Sequence, residues 1–546
     1  MADPDAKDAR QPTTLKSLFG APGPRWFSIP ADRPFAEDLA QGLFEALTVD
    51  GPEGLSDALL LTPTRRGARA LSDGFLKAAG GRPVLLPQIR AVGDLDEGEP
   101  PFEPGGLALD LPPAVSSARR RFELARLVVE HGYFGSERAD AGAALEMADA
   151  LGRFLDSVHI EEVADPERVA TLVQGDFAEH WRRSAAFLAV ALEAWPRRLA
   201  ELGLVDPSWR RAELSRLLAR QWSEAPPTVP LIAAGSTGTA PATAALLGVV
   251  ARAPQGLVVL PGLDLELAED AWAAVDESHP QGAMKRLLAR HGVAREAVRV
   301  WPASVSTAAG RARRRLIHEA MRPAEATADW LSQIAKFDRE RDETGVDPVT
   351  EGLQGLHVVQ ARHEEEAAAA IALLLRETLE RDDEATCALV TPDQALARRV
   401  SARLARWGVE ADSSAGAALA GQPVGRMLSV CAGLIADPLD PVLWLAALKH
   451  PATRFGRDPE TGERALRRLE KKGLRGARPV SVEALFDRLE RPRRGDPEVE
   501  AAALARAFCE LLVAAEAPFT GGQAPVPAAA EALTRLAEAL CGPALW

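Results

Sequence analysis

Short unbroken apolar runs alternate along the chain with longer stretches of helical periodicity. The runs are Trp26–Ile29, Ala58–Pro63, Pro83–Pro87, Pro230–Ala234, Leu257–Pro261, Leu356–Gln360 and Cys387–Thr391. Several end at Pro, Gly, Thr or Asp. Such a run suits a parallel strand buried on both faces, with polar chemistry at its carboxyl end. The pattern therefore predicts an α/β fold. The runs form two groups, one from 26 to 90 that resumes at 230–262, the other from 356 to about 412. Between the two halves of the first group, roughly 114–225 carries no strand signal. It has helical periodicity in Arg121–Glu130 and Trp181–Leu202.

This spacing predicts an order of domains. A tail over 1–22 is expected to be disordered. A first α/β domain covers 23–113 and 229–320, interrupted by a helical insertion over 114–228. A mixed-charge linker covers 321–352 and includes Asp338–Glu343. A second α/β domain covers 353–435, and a mainly helical region covers 436–546. Two α/β domains with helical insertions is the layout of superfamily-1 helicases, one option among several that periodicity allows.

Composition narrows the picture. At 546 residues the chain exceeds one ordinary domain, and 47% hydrophobic against 26% charged residues allows large cores. The formal net charge of −14 excludes a surface that is polycationic throughout. It leaves room for a local basic track, which is all that nucleic-acid binding needs. Basic residues are nearly all Arg; Lys stands only at 7, 16, 77, 285, 336, 449, 471 and 472. With so much Ala this reads as coding bias, so Arg abundance alone says little. Cys387, Cys431, Cys509 and Cys541 are far apart and form no CxxC pair. They read as buried thiols in a reducing compartment, not as a closed zinc or iron–sulfur site. No apolar run reaches membrane-spanning length, and the first residues do not form a signal peptide. A soluble, cytoplasmic chain is expected.

Each candidate motif has a structural alternative. A phosphate loop belongs after the first strand and needs Gly, Lys and Ser/Thr. Here that turn reads Pro30-Ala-Asp-Arg-Pro34, and G-x-x-x-x-G-K-[ST] occurs nowhere in the chain. ATP hydrolysis by this chain alone is not expected. Thr62-Pro-Thr-Arg-Arg66 ends the second run. Its hydroxyls, helix-start amides and paired Arg residues suit a phosphate, while an ordinary junction capped by Thr64 suits it equally. Gly235-Ser-Thr-Gly-Thr239 reads either as a phosphate cradle or as a tight turn. Asp264 reads as a helix cap. Lys449, His450 and Arg475 lie in the last helical region, where a structural His is the commoner outcome. No catalytic triad or metal-spaced carboxylate set is legible.

Taken in order, these stretches resemble AddB proteins of the alphaproteobacterial type. The resemblance is carried by Thr62–Arg66, Leu85–Arg90, Gly93–Glu97, Glu179–Trp181, Ala194–Pro196, Ala233–Gly238 and Val259–Asp264. It continues through His279–Gln281, Met321–Pro323, Ala388–Asp393, Leu448–Pro451 and Leu474–Gly476. The resemblance implies a degenerate superfamily-1 helicase-like fold with two RecA-like parallel-sheet domains. It implies a DNA-binding, motor-inactive part of a helicase–nuclease that processes double-strand ends for recombinational repair. The implied partners are DNA ends, single-stranded DNA and an AddA-type motor in a heterodimer, with ATP and Mg²⁺ in that motor and no cofactor in this chain. No membrane partner is implied.

Two features depart from the family. The phosphate loop that some relatives keep is missing. Full AddB proteins are also longer and end in a nuclease domain, so this chain reads as an N-terminal portion with an incomplete last region, lacking ATPase and nuclease sites. The candidate DNA contacts are Thr62, Thr64, Arg65, Arg66, Ser236, Thr237 and Thr239, with Lys449, His450 and Arg475 as candidates for reading a hotspot sequence. The rival readings are an ATP-binding helicase with a divergent phosphate site at Gly235–Thr239, and a pure assembly subunit for AddA.

Overall fold

The computed structural model describes residues 18–19, 23–49, 51, 53–92, 111–131, 140–163, 187–188, 190–327, 330–382, 384–416, 418–455, 462–491, 498–542 and 545–546. Most of the expected tail, together with Gly93–Glu97 and Glu179–Trp181, lies outside them. The chain divides into two compact units, Met1–His357 and Val358–Trp546.

The first unit is built on one six-stranded, all-parallel sheet. Its strands are β1 (Trp26–Ile29), β2 (Leu59–Thr62), β3 (Gln88–Ala91), β4 (Leu231–Ala234), β5 (Gly256–Pro261) and β6 (Arg299–Val300), in the order β3-β2-β4-β5-β1-β6. The unbroken apolar runs at β1, β4 and β5 are buried almost throughout, as parallel strands covered on both faces require.

The two faces have separate cores. On one, Phe27, Ile29, Leu60, Ile232 and Val259 meet helices α1 (Phe35–Leu47) and α2 (Arg65–Ala79). Trp301 seals this core. Its ring stands edge-on to Phe27 at 5.4 Å, and its indole N–H donates to the Asp38 carbonyl at 2.8 Å. Gly42 makes room for it, since a Cβ there would lie 2.7 Å from the indole nitrogen. On the other face, Trp26, Leu61, Ala233, Val258 and Leu260 pack with residues of four further helices.

The segment between β3 and β4 is helical where described. It contains α3 (Ser117–Glu130), α4 (Ala141–Ile160), α5 (Trp195–Leu202) and α6 (Pro207–Glu224). Asp206 caps α6 and accepts from the Trp195 indole at 3.0 Å and from the Ser208 hydroxyl at 2.7 Å. Burial alone would raise its carboxyl. The His159 hydrogen bond and the Arg120 guanidinium outweigh burial and hold it well below the usual carboxylate range. Leu218 and Trp222 of α6 then join the core of the second face, along with α7 (Pro241–Arg252) and α8 (Gly282–Arg290). At the opposite end of the sheet from the strand carboxyl ends, Arg25 is buried. Its guanidinium donates to the carbonyls of Ala253, Pro254 and Gly256, each at 2.9 Å. The unit continues through α9 (Ala308–Ala320), α10 (Trp330–Thr344) and α11 (Pro348–Leu353).

The sequence pattern misplaced one strand and missed another. The run Pro83–Pro87 is not a strand; pairing with β2 begins one residue later, at Gln88, where amide donors resume after Pro87. β6 is only two residues long, with no apolar run to announce it.

The second unit contains α12 (Glu364–Arg381) and α13 (Gln394–Ala405), which share a small core of Ala368, Ala372, Val400 and Leu404. The expectation of a second parallel sheet over 353–435 is not met among the described residues. Leu356–Gln360 and Cys387–Thr391 carry no strand assignment, and Val358 and Val390 are 90% and 93% exposed. The remainder is a helical bundle of α14 (Pro423–Ala436), α15 (Pro441–Leu448), α16 (Gly462–Arg468), α17 (Val482–Glu490), α18 (Val499–Glu516) and α19 (Val526–Cys541). Its core centres on Trp444 against Phe508, with ring centroids 4.6 Å apart. No helix among the described residues is long and apolar enough to cross a membrane.

Candidate functional site at the sheet's carboxyl edge

The chain leaves β2 toward α2 on one face of the sheet and leaves β4 toward α7 on the other. β2 and β4 are neighbours, so their following loops diverge and open a crevice between them. This is the switch point at which open parallel sheets take ligands. A cavity of about 230 Å³ lies there, lined by Thr62, Pro63, Gly235, Ser236, Thr237 and Thr239 among others. The topology thus brings together two sequence-predicted groups that lie far apart in the chain.

The individual roles differ. Thr62 is 2% exposed, and its hydroxyl donates to the Thr64 carbonyl at 3.1 Å, within the turn. Thr64 is the α2 N-cap and accepts from the Gly67 amide at 3.0 Å. Both hydroxyls therefore shape the junction. Arg65 and Arg66 are exposed in the first turn of α2, which carries no acidic residue. A helix start with two exposed guanidinium groups is one that can meet a phosphate. In the facing loop, Gly235 and Gly238 have φ of +80° and +64°. Ser236 Oγ accepts from the Gly238 amide at 3.2 Å, and the Thr237 and Thr239 hydroxyls are bonded to each other at 2.9 Å. The α7 N-terminus behind them has Pro241 at its start and no side-chain cap.

The turn after β1 is differently made. Arg33 chelates Asp38 at 2.9 and 2.7 Å. Arg314, from α9, reaches over the turn to Asp32 and to Glu266, each at 2.5 Å, and donates to Ser306 Oγ at 3.2 Å. Asp32 and Arg314 side chains are 6% and 12% exposed. A nucleotide phosphate at this turn would meet Asp32 and compete with Arg314 for the same space.

After β5, Asp264 accepts from the Glu266 and Leu267 amides at 2.9 and 2.7 Å and so holds a turn; it is not the helix cap expected from sequence, because the next helix, Glu269–Ala274, starts after Ala268. Gln281 bridges the same loop, donating to the Gly262 carbonyl at 3.0 Å and accepting from the Asp264 amide at 2.9 Å. His279 contacts the Met321 carbonyl at 2.8 Å, and His318 approaches Asp264 at 3.2 Å. Burial pushes His318 below its ordinary value, against the pull of Asp264 and Glu266. Three separate sequence stretches, 262–267, 279–281 and 318–321, therefore close on one corner of the sheet.

The remaining candidates lie in the second unit. Lys449 and Arg475 both pair with Glu470, at 2.6 and 3.4 Å, and the Lys449 bond above all holds that carboxyl low. His450 accepts from the Ala452 amide at 3.2 Å and serves a turn. Among the described residues no group of three or more His, Cys, Asp or Glu is arranged to hold a metal ion. The cysteines are free, and burial pushes Cys431 up to about 12 and Cys509 up to about 11. No family model matches this chain, and no curated protein matches it.

Arg314 was missed by sequence reasoning. It stands in the run Arg313-Arg314-Arg315, whose three members go to different partners: backbone carbonyls, the Asp32–Glu266 pair, and Glu340. Nothing in the run distinguishes the middle one.

Proposed function

We propose that this chain is the DNA-binding, motor-inactive, helicase-like part of an AddB-type subunit, working with an AddA-type motor on DNA double-strand ends. One observation carries the reading. The switch-point crevice of a RecA-like sheet is lined by Thr62, Pro63 and the Gly/Ser/Thr loop, with Arg65 and Arg66 exposed at the helix start two residues on, while the first-strand turn is filled by the Asp32–Arg314–Glu266 ion triad. A motor needs the first-strand turn open for phosphate; a guide for the DNA backbone needs cations and hydroxyls at an exposed edge. The two-sheet helicase layout, the heterodimer, and ATP with Mg²⁺ in the partner belong to the same proposal and rest on the sequence resemblance.

The test is an anisotropy titration of a duplex with a short single-stranded fork, without ATP, at two salt concentrations. This chain, the motor partner and the pair are compared. The pair should bind more tightly than either part, with marked salt sensitivity. Arg65→Ala with Arg66→Ala should weaken binding and flatten the salt slope by up to about 0.9 per lost phosphate contact. Unchanged affinity and slope would remove both residues from the site. No gain from adding this chain to the motor would instead favour a pure assembly subunit.

The glycine loop supports a second reading, nucleotide binding at Gly235–Thr239, because it lines the crevice. A Cβ at Gly238 would sit 2.8 Å from Leu287, on a backbone with positive φ. Gly238→Val would therefore disturb the core as well as a ligand. Thr237→Val with Thr239→Val is the cleaner probe. Saturable ATP binding lost in that double variant would favour this reading; absence of ATP binding in the parent chain would end it.

A further inference from the structure

The segment Gly462–Leu474 begins as α16 and continues as a π-helical turn over Leu469–Leu474. Its Ala465, Leu469, Gly473 and Leu474 are buried, and Leu469 and Leu474 belong to the core of the helical bundle. Its outer side carries Arg464, Arg467, Arg468, Lys471 and Lys472, all exposed. The spacing i, i+3, i+4, i+7, i+8 places them along one stripe. Because the apolar side is already occupied by protein, the segment cannot lay that side on a lipid surface.

Much of the local negative charge is engaged. Arg464 pairs with Glu500 at 2.6 Å, Arg468 with Glu498 at 3.4 Å, and Glu470 is held between Lys449 and Arg475. Glu463 is exposed at the start of the segment. Arg467, Lys471 and Lys472 have no ion pair among the described residues. Lys471 and Lys472 are also the one adjacent lysine pair in a chain that otherwise relies on Arg. Like charges gathered on one strip of an acidic protein repel one another, and a polyanion relieves that repulsion.

We infer that the outer face of Gly462–Leu474 is a second nucleic-acid backbone surface, with Arg467, Lys471 and Lys472 making the phosphate contacts. From Arg464 to Lys472 the stripe runs roughly 12 Å at about 1.5 Å per residue. That is the axial rise of three to four nucleotide steps at about 3.4 Å each. Point-charge ammonium groups on flexible stems suit sequence-independent contact with a backbone. The inference rests on the reading of the chain as a DNA-binding subunit.

The test uses the full chain, with and without the motor partner, and the same forked duplex. The variant combines R467Q, K471Q and K472Q. These side chains are exposed, so the melting temperature should stay at the parent value. Binding at about 0.1 M salt should fall roughly tenfold or more, and the slope of log K against log salt should drop by between about two and three. A variant with R467K alone should retain both. Loss in the triple variant while R65A/R66A keeps its binding would support the stripe and dismiss the crevice. Loss in R65A/R66A while the triple variant keeps parent affinity and slope would overturn the stripe alone. A parent chain that binds no DNA in either setting would overturn both.

Discussion

The sheet of the first unit and the α12–α13 region of the second start from similar sequence and end differently. Leu257–Pro261 and Cys387–Thr391 are both short apolar runs ahead of a polar turn. The first lies inside β5, between β4 and β1, with Leu257 to Leu260 at 1% exposure or less. The second has no strand beside it among the described residues, and its Val390 is 93% exposed. An apolar run is therefore a request for neighbours, not a strand in itself. Its backbone donors and acceptors become a ladder only where adjacent segments arrive in register.

The largest expected contrast is in stability. Trp301→Ala removes a fully buried indole and its hydrogen bond to the Asp38 carbonyl, so it should destabilise the first unit by about 3–5 kcal/mol in urea unfolding. Val390→Ala should change stability by no more than about 0.5 kcal/mol. Equal costs would mean that the 387–391 segment is packed in solution, and would break the contrast.

A step smaller, Arg314→Ala leaves Asp32 without its cation, at a cost of about 3 kcal/mol. Arg314→Ala combined with Asp32→Ala should cost less than the single change, because the one carboxylate still without its cation, Glu266, is half-exposed and solvated. A double variant as damaged as the sum of two singles would show that the triad is not a coupled unit.

The smallest effect is on pH dependence. Burial lowers His318 in the folded state from its ordinary 6.5, so the unfolded chain takes up the proton first as pH falls. The stability from neutral His318 is complete above about pH 6.5 and declines below it, with a slope of at most about 1.4 kcal/mol per pH unit. His318→Gln should flatten the stability profile between pH 6.5 and 5; an unchanged profile would assign that slope to other groups.

The α/β class and four of the six strands could be read from the sequence because each had an unbroken run with a clear stop. β3 slipped because Leu85 and Leu86 sit between prolines that withhold donors, and Leu85 is 60% exposed. The candidate loops were legible as loops, yet their meeting was not. That depends on α2 and α7 taking opposite faces of the sheet, which no local pattern states. The absent phosphate loop was plain from residues 30–34. What fills its place was not, since Arg314 and Asp32 are 282 positions apart.

Arg25 has a consequence for how these titrations are read. Its cation is held by the neutral oxygens of Ala253, Pro254 and Gly256, inside the protein and away from mobile ions. Dissolved salt weakens pairs of exposed opposite charges far more than it weakens such a buried clamp. The β1–β5 end of the sheet should therefore hold its shape across the salt range used to measure DNA affinity. A salt-dependent loss of binding then reports ions returning to the DNA, and not a scaffold coming apart beneath it.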